Sequence, residues 1–158
     1  MNTLPRHNLA VALVAPQIAG NAGNVARTCV AAGAALHLVR PMGFTLDEKR
    51  LRRSAMDYWP RLDLHLHDDL PAFQAATRGR RLWLFDSAGG RSVFSADFAD
   101  GDVLVFGSET RGLPPAWLAS RPESCLAVPQ QPGERCLNLA TAVGIGLYAA
   151  IGRLVGAE

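Results

Sequence analysis

The stretch Val103 to Pro114, VLVFGSETRGLP, limits the possible folds more than any other part of the chain. Val103, Leu104, Val105 and Phe106 are a continuous apolar run without polar alternation, the pattern of a strand buried on both faces. Gly107 ends the run with a residue free to take positive φ, and Gly112 with the Pro114-Pro115 pair marks where the next loop stops. Ser108, Glu109, Thr110 and Arg111 therefore sit at the carboxyl end of a strand. Open α/β sheets bind their ligands there.

Similar runs recur along the chain. Leu9 to Ala15, Ala35 to Val39, Leu62 to Leu66, Leu82 to Phe85 and Cys125 to Val128 read as strands, with Asp86-Ser87-Ala88-Gly89-Gly90 a second polar loop at a strand's carboxyl end. Between them lie helical segments. Asn24 is placed to cap a helix running to about Gly33, and Arg27 then falls in its first turn, where a cation costs about 0.3 to 1 kcal/mol against the helix dipole. An anion bound nearby would remove that cost. Thr45 with Glu48 has the capping-box spacing for a helix to about Met56, and Asp68 is placed to cap another over Leu70 to Thr77. A short helix is expected near Ala116 to Ala119 and a long one from Leu137 to Val155, while Arg91 to Asp102 carries no clear pattern. Strands alternating with helices predict an α/β fold with a mainly parallel sheet flanked by helices.

In the last helix, Ala142, Gly146 and Ala150 recur every four residues, which lets another backbone approach closely. The stripe predicts a tight helix contact, with a homodimer interface as its form. Leu137 to Gly152 is short of a membrane span and is closed by Arg153, so no membrane partner is expected. With 158 residues, one domain covering 1–158 is expected. The opening residues MNTLPRHN lack the apolar core of a signal peptide, and three cysteines without CxxC spacing suggest a reducing compartment, hence the cytoplasm, and no metal. A net charge of +2 says little about nucleic acid; distribution says more. Lys49, Arg50, Arg52 and Arg53 fan over roughly 160° at helical spacing, an arrangement that suits a phosphate backbone.

Three segments together resemble a known family. NAGNVAR (Asn21 to Arg27), FGSETRGLP (Phe106 to Pro114) and RCLNLATAV (Arg135 to Val143) are similar, in this order, to the signature motifs of the SPOUT methyltransferases. DEKRLRRSAMDYW is similar to the TrmL-type subgroup within them. The resemblance implies a C-terminal trefoil knot cradling S-adenosylmethionine. It places the cofactor at Phe85, Asp86 and Ser87, at Gly107, Ser108 and Glu109, and at Val128, Cys136, Leu137 and Asn138. It also implies methyl transfer to a ribose 2′-hydroxyl of tRNA, at wobble nucleotide 34 of leucine tRNAs, with another tRNA position or ribosomal RNA as the alternative.

Arg27 takes the family's catalytic arginine position, with Asn21 and Asn24 as catalytic companions that orient the nucleotide. An arginine is a poor proton acceptor, so phosphate positioning and oxyanion stabilisation are its expected work. Glu109 is expected to order the cofactor loop, and Arg111 to pair with it or join the Lys49 to Arg53 group in contacting RNA. The subgroup usually has serine at the position of Cys136, a change without consequence if the cofactor meets the backbone there. A Rossmann-type dinucleotide site, suggested by a strand before GNAG (Gly20 to Gly23), fails on the GxGxxG spacing. A non-catalytic RNA-binding module would retain the basic surface without needing Arg27, Glu109 and Asn138 together.

Overall fold

A computed structural model describes residues 3–47, 49, 53 and 56–156. Seven strands form one sheet in the order β3-β2-β1-β6-β4-β7-β5, and every pairing between neighbouring strands is parallel. The strands are β1 (Ala10–Val14), β2 (Ala35–Val39), β3 (Leu64–His67), β4 (Leu82–Phe85), β5 (Arg91–Ser92), β6 (Val103–Phe106) and β7 (Cys125–Ala127). β1, β4 and β6 are buried at every position, as their unbroken apolar runs require of central parallel strands.

Among the described residues the two faces are covered by the helices α1 (Ala19–Ala32), α2 (Leu70–Ala76), α3 (Pro115–Ser120) and α4 (Leu139–Gly156). Alternation along each strand decides which helix a side chain meets. Leu9, Val11 and Leu13 join Leu104 and Phe106 against α1 and α4, whereas Ala10, Ala12 and Val103 face Phe73 of α2 and Trp117 of α3. Chain order reverses between β1 and β6, since β2 and β3 lie on one side of that pair and β4 and β7 on the other. A crevice opens at such a point, outside the carboxyl ends of the strands.

Several local expectations change. Helix α1 begins at Ala19 with Ile18 at its N-cap, so Asn24 is an exposed interior residue and not the cap. Arg27 accordingly lies two turns inside the helix, where the first-turn dipole penalty does not apply. The cap of α2 is Asp69, whose carboxylate accepts from the Ala72 amide at 2.8 Å, in place of Asp68. Gly107 is absent from the positive-φ residues; Gly112, at φ 66°, has that conformation. Helix α4 starts at Leu139, two residues later than expected. Glu48 of the Thr45–Glu48 pair lies outside the described residues, as do Arg50 and Arg52 of the basic fan.

The small-residue stripe serves the chain's own core. A Cβ at Gly146 would stand 2.9 Å from the Phe85 ring and 3.3 Å from that of Phe106. Those rings stack on each other at 4.2 Å, and the bare backbone of α4 lets the helix sit directly on them. By length and composition α4 could cross a membrane, with a mean hydropathy of 1.5. Its buried row of Val143, Gly146, Leu147, Ala150 and Ile151 nevertheless packs on the sheet and α1.

Candidate active site

Loop Gly107 to Gly112 is folded tightly back on itself. The Ser108 carbonyl accepts from the Gly112 amide at 3.0 Å and the Ser108 hydroxyl from the Arg111 amide at 3.0 Å. A Cβ on Gly107 would collide with the Gly112 and Leu113 backbone, so glycine is required there for close approach. The hairpin-like fold carries Glu109 across the crevice to the start of α1. There its two carboxylate oxygens accept from the backbone amides of Gln17 and Ile18, each at 2.9 Å.

The same carboxylate accepts from the Asn21 amide group at 3.2 Å. Asn21 in turn takes a hydrogen bond on its Oδ1 from the Asn138 side chain at 3.0 Å, and Asn138 caps α4 through the Ala140 amide at 2.9 Å. A chain of side chains thus joins the three sequence motifs, from the β6 loop through α1 to α4. Asn21 is 8% exposed, so both ends of its amide are spent on this network.

Beside the network lies a cavity of about 520 Å³, bounded by the loops after β4, β6 and β7 and by the first turns of α1 and α4. Every sequence-predicted cofactor residue lines it: Phe85, Asp86 and Ser87; Gly107, Ser108 and Glu109; Val128, Cys136, Leu137 and Asn138. Arg111 and Asn21 line it as well. Phe106 and Leu126, both buried, give it an apolar floor, while Ser87, Ser108 and Gln130 supply polar groups around it. Its size and mixed lining are those of a small-molecule site.

Arg27 and Asn24 are exposed and stand away from the cavity lining. Six residues of helical rise separate Arg27 from Asn21, roughly 9 Å along the axis. The Arg27 guanidinium lies 5.3 Å from the centre of the Tyr58 ring, which Arg61 approaches at 5.0 Å. Lys49 and Arg53 are exposed. Sequence reading missed Ile18 at the cavity edge and Ala15 just before it, which holds φ 54° although it is not glycine. Backbone strain of this kind gathers at functional sites, but an alanine gives no sign of it in a sequence.

A doubly flanked parallel sheet with its crevice at the strand reversal, lined by three glycine-containing or polar loops, defines a ligand-binding α/β protein. The model of the SpoU rRNA Methylase family matches residues 8–148, and the chain belongs to that family. It is 42% identical to the tRNA (cytidine(34)-2′-O)-methyltransferase of Burkholderia ambifaria over 143 residues, 89% of this chain and 92% of that protein. A solved structure concerned with 2-OH methylation of C/U34 on tRNA superposes with a TM-score of 0.90 at 48% identity, over 95% of this chain and 98% of the other. The AdoMet-bound rRNA methyltransferase of Sinorhizobium meliloti superposes with a TM-score of 0.84 at 27% identity, over 96% of this chain and 59% of its own.

Proposed function

We propose that this protein transfers a methyl group from S-adenosylmethionine to the ribose 2′-hydroxyl of the wobble nucleotide, position 34, in tRNA, leucine tRNAs being the expected targets. The observation that carries the reading is the convergence of all three motifs on one cavity, fastened together through Glu109, Asn21 and Asn138. Relatives of matching length that are named for this reaction support it.

The cavity fits the cofactor. Its volume of about 520 Å³ suits a ligand of nucleoside size, the Phe106 and Leu126 floor suits a flat base, and Ser87, Ser108 and Gln130 suit a ribose and an amino-acid moiety. The carboxylates of Asp86 and Glu109, which also line it, favour a cation. When bound, S-adenosylmethionine supplies an electrophilic methyl on a sulfonium. This chain's residues must then present the ribose oxygen in line and stabilise its developing charge. Arg27 is the residue for that charge: exposed, always cationic, and steadied by the Tyr58 ring. It holds a phosphate beside the reacting ribose, and the hydroxyl proton passes to that phosphate or to water. Lys49, Arg53 and Arg111, all exposed, extend the cationic surface for RNA.

Two further readings belong with this one. A second copy of the chain covers the outer face of α4, where Tyr148 is 46% and Val155 49% exposed although the helix is strongly apolar. The cytoplasm is the location, in keeping with three free cysteines.

The deciding experiment is transfer of labelled methyl from S-adenosylmethionine to bulk tRNA, with the product mapped by nuclease digestion and mass spectrometry. Label on the 2′-oxygen of nucleotide 34 is the expected result. Arg27→Ala is expected to lower the rate at least a hundredfold, the scale of a lost charge-stabilising group, while still binding cofactor. Label at another nucleotide would overturn the substrate assignment, and an active Arg27→Ala would overturn the role given to that residue.

A further inference from the structure

We propose that Glu109 is a positioning residue: it caps helix α1 from the cofactor loop, so that order in that loop and the seating of Arg27 become one event. The inference rests on the methyltransferase reading above.

Helix α1 has no N-terminal cap of its own. Ile18, at the N-cap, has no side-chain oxygen, and the first turn contains no acidic residue. The first amides of any helix need partners, and a negative charge there is favoured by the helix dipole. A capping box meets the need locally, with a side chain at the third helical position reaching back to the N-cap amide. In α1 that third position is Asn21, whose own amide group donates to Glu109. The reach-back to the Ile18 amide comes instead from Glu109, 91 residues away in sequence, with its other oxygen on Gln17.

Glu109 can do this only while its loop is folded. The Ser108–Gly112 bridge and the bare backbone of Gly107 against Leu113 hold it across the crevice. A ligand that orders loop Gly107 to Gly112 therefore stabilises the first turn of α1, and RNA held by Arg27 on the same helix favours the ordered loop. Binding free energies coupled in this way are reciprocal. Asn21 and Asn138 extend the coupling to the start of α4, which also borders the cavity.

The test compares wild type, Glu109→Gln and the double variant Asn21→Glu/Glu109→Gln. Glutamine keeps the size but turns a donor toward three donors; the double variant puts the acid at the position of a local capping box. Three readouts are taken: amide hydrogen exchange at Gln17 and Ile18, affinity for S-adenosylhomocysteine by calorimetry, and the change in that affinity when bulk tRNA is present. In wild type, S-adenosylhomocysteine is expected to slow exchange at both amides, and tRNA to tighten its binding about fivefold or more. In Glu109→Gln the two amides should exchange about fivefold to thirtyfold faster, the range of a lost cap, with Cys29 to Ala32 unchanged. The coupling factor, taken as the ratio of the affinities with and without tRNA within one variant, should fall to about one whatever loss of affinity Glu109→Gln itself causes.

The double variant separates coupling from simple support. Its α1 should recover slow exchange yet show no coupling, because the cap no longer depends on the loop. Recovery of both, or coupling that persists in Glu109→Gln, overturns the proposal. Absence of methyl transfer to tRNA by wild type would instead overturn the functional reading. Exchange at Gln17 and Ile18, with and without S-adenosylhomocysteine, would then still decide whether the loop caps α1.

Discussion

The three thiols of this chain are of two kinds. Burial pushes the Cys29 thiol up to about 12, and burial also raises that of Cys125, whereas Cys136 is exposed at the cavity wall. Only a thiolate reacts with alkylating agents, so iodoacetamide at neutral pH is expected to label Cys136 first and once per chain. S-adenosylhomocysteine should protect it, and peptide mass spectrometry would show both results. At this scale the residues lining the cavity were legible through the motifs' resemblance to the family, and the place of Phe85 to Ser87 and Gly107 to Glu109 at strand ends agrees with it. Asn24 was misjudged as a cap because asparagine favours caps in general, and nothing near it in sequence revealed that Glu109 already served the helix start. Gly107 was legible as a special position but not for its reason, which is a contact with Leu113 that only the folded loop creates.

Helix α4 shows how glycines of one element differ in kind. Gly146 has no room for a methyl beside the stacked Phe85 and Phe106 rings, so Gly146→Ala is expected to destabilise by about 1 to 3 kcal/mol. Gly144 has nothing within 4 Å of its would-be Cβ, and Gly144→Ala should stabilise by about 0.5 to 1 kcal/mol. Thermal melts of the two variants beside wild type would test both signs. Sequence periodicity located the stripe through Gly146 and the need for close approach. It could not say that the approaching surface was a pair of rings on β4 and β6, since spacing records distance along a helix and not what lies opposite. The strands were read nearly to the residue where their runs were apolar throughout, as in β4 and β6. Leu64–His67 was harder, because this edge strand exposes two successive residues, His65 and Leu66, and so shows neither an apolar run nor a clean alternation.

The molecule as a whole should be sensitive to acid through one corner of the sheet. His37 on β2 stacks on His65 of β3 at 4.7 Å and lies 2.8 Å, nitrogen to nitrogen, from buried His67, with Phe73 of α2 edge-on to both buried rings. Burial, reinforced by the neighbouring His65, His67 and Arg80 and opposed by Asp63, lowers the His37 pKa to about 4 from 6.5. The unfolded chain therefore takes up this proton at a higher pH than the folded one. The resulting stability is complete above about pH 6.5 and is lost progressively as pH falls towards 4. Melting temperatures recorded from pH 7.5 to 4.5 should decline, and decline less in His37→Gln. At the same scale, Tyr148 and Val155 are seven residues apart on one face of α4, so Tyr148→Asp/Val155→Asp is expected to shift the solution mass from two copies to one, read by light scattering.

Sheet order also sets a timetable for synthesis. β1 pairs with β2, made soon after it, but its other neighbour is β6, with Ala10 opposite Val103. Chains leave the ribosome at about 5 to 20 residues per second, so one edge of β1 waits roughly 5 to 20 seconds for its partner to be made. An unpaired edge of apolar parallel strand is a template for other chains during that interval. The reversal of strand order that creates the crevice therefore also leaves one edge of β1 without its partner until the second half of the chain emerges.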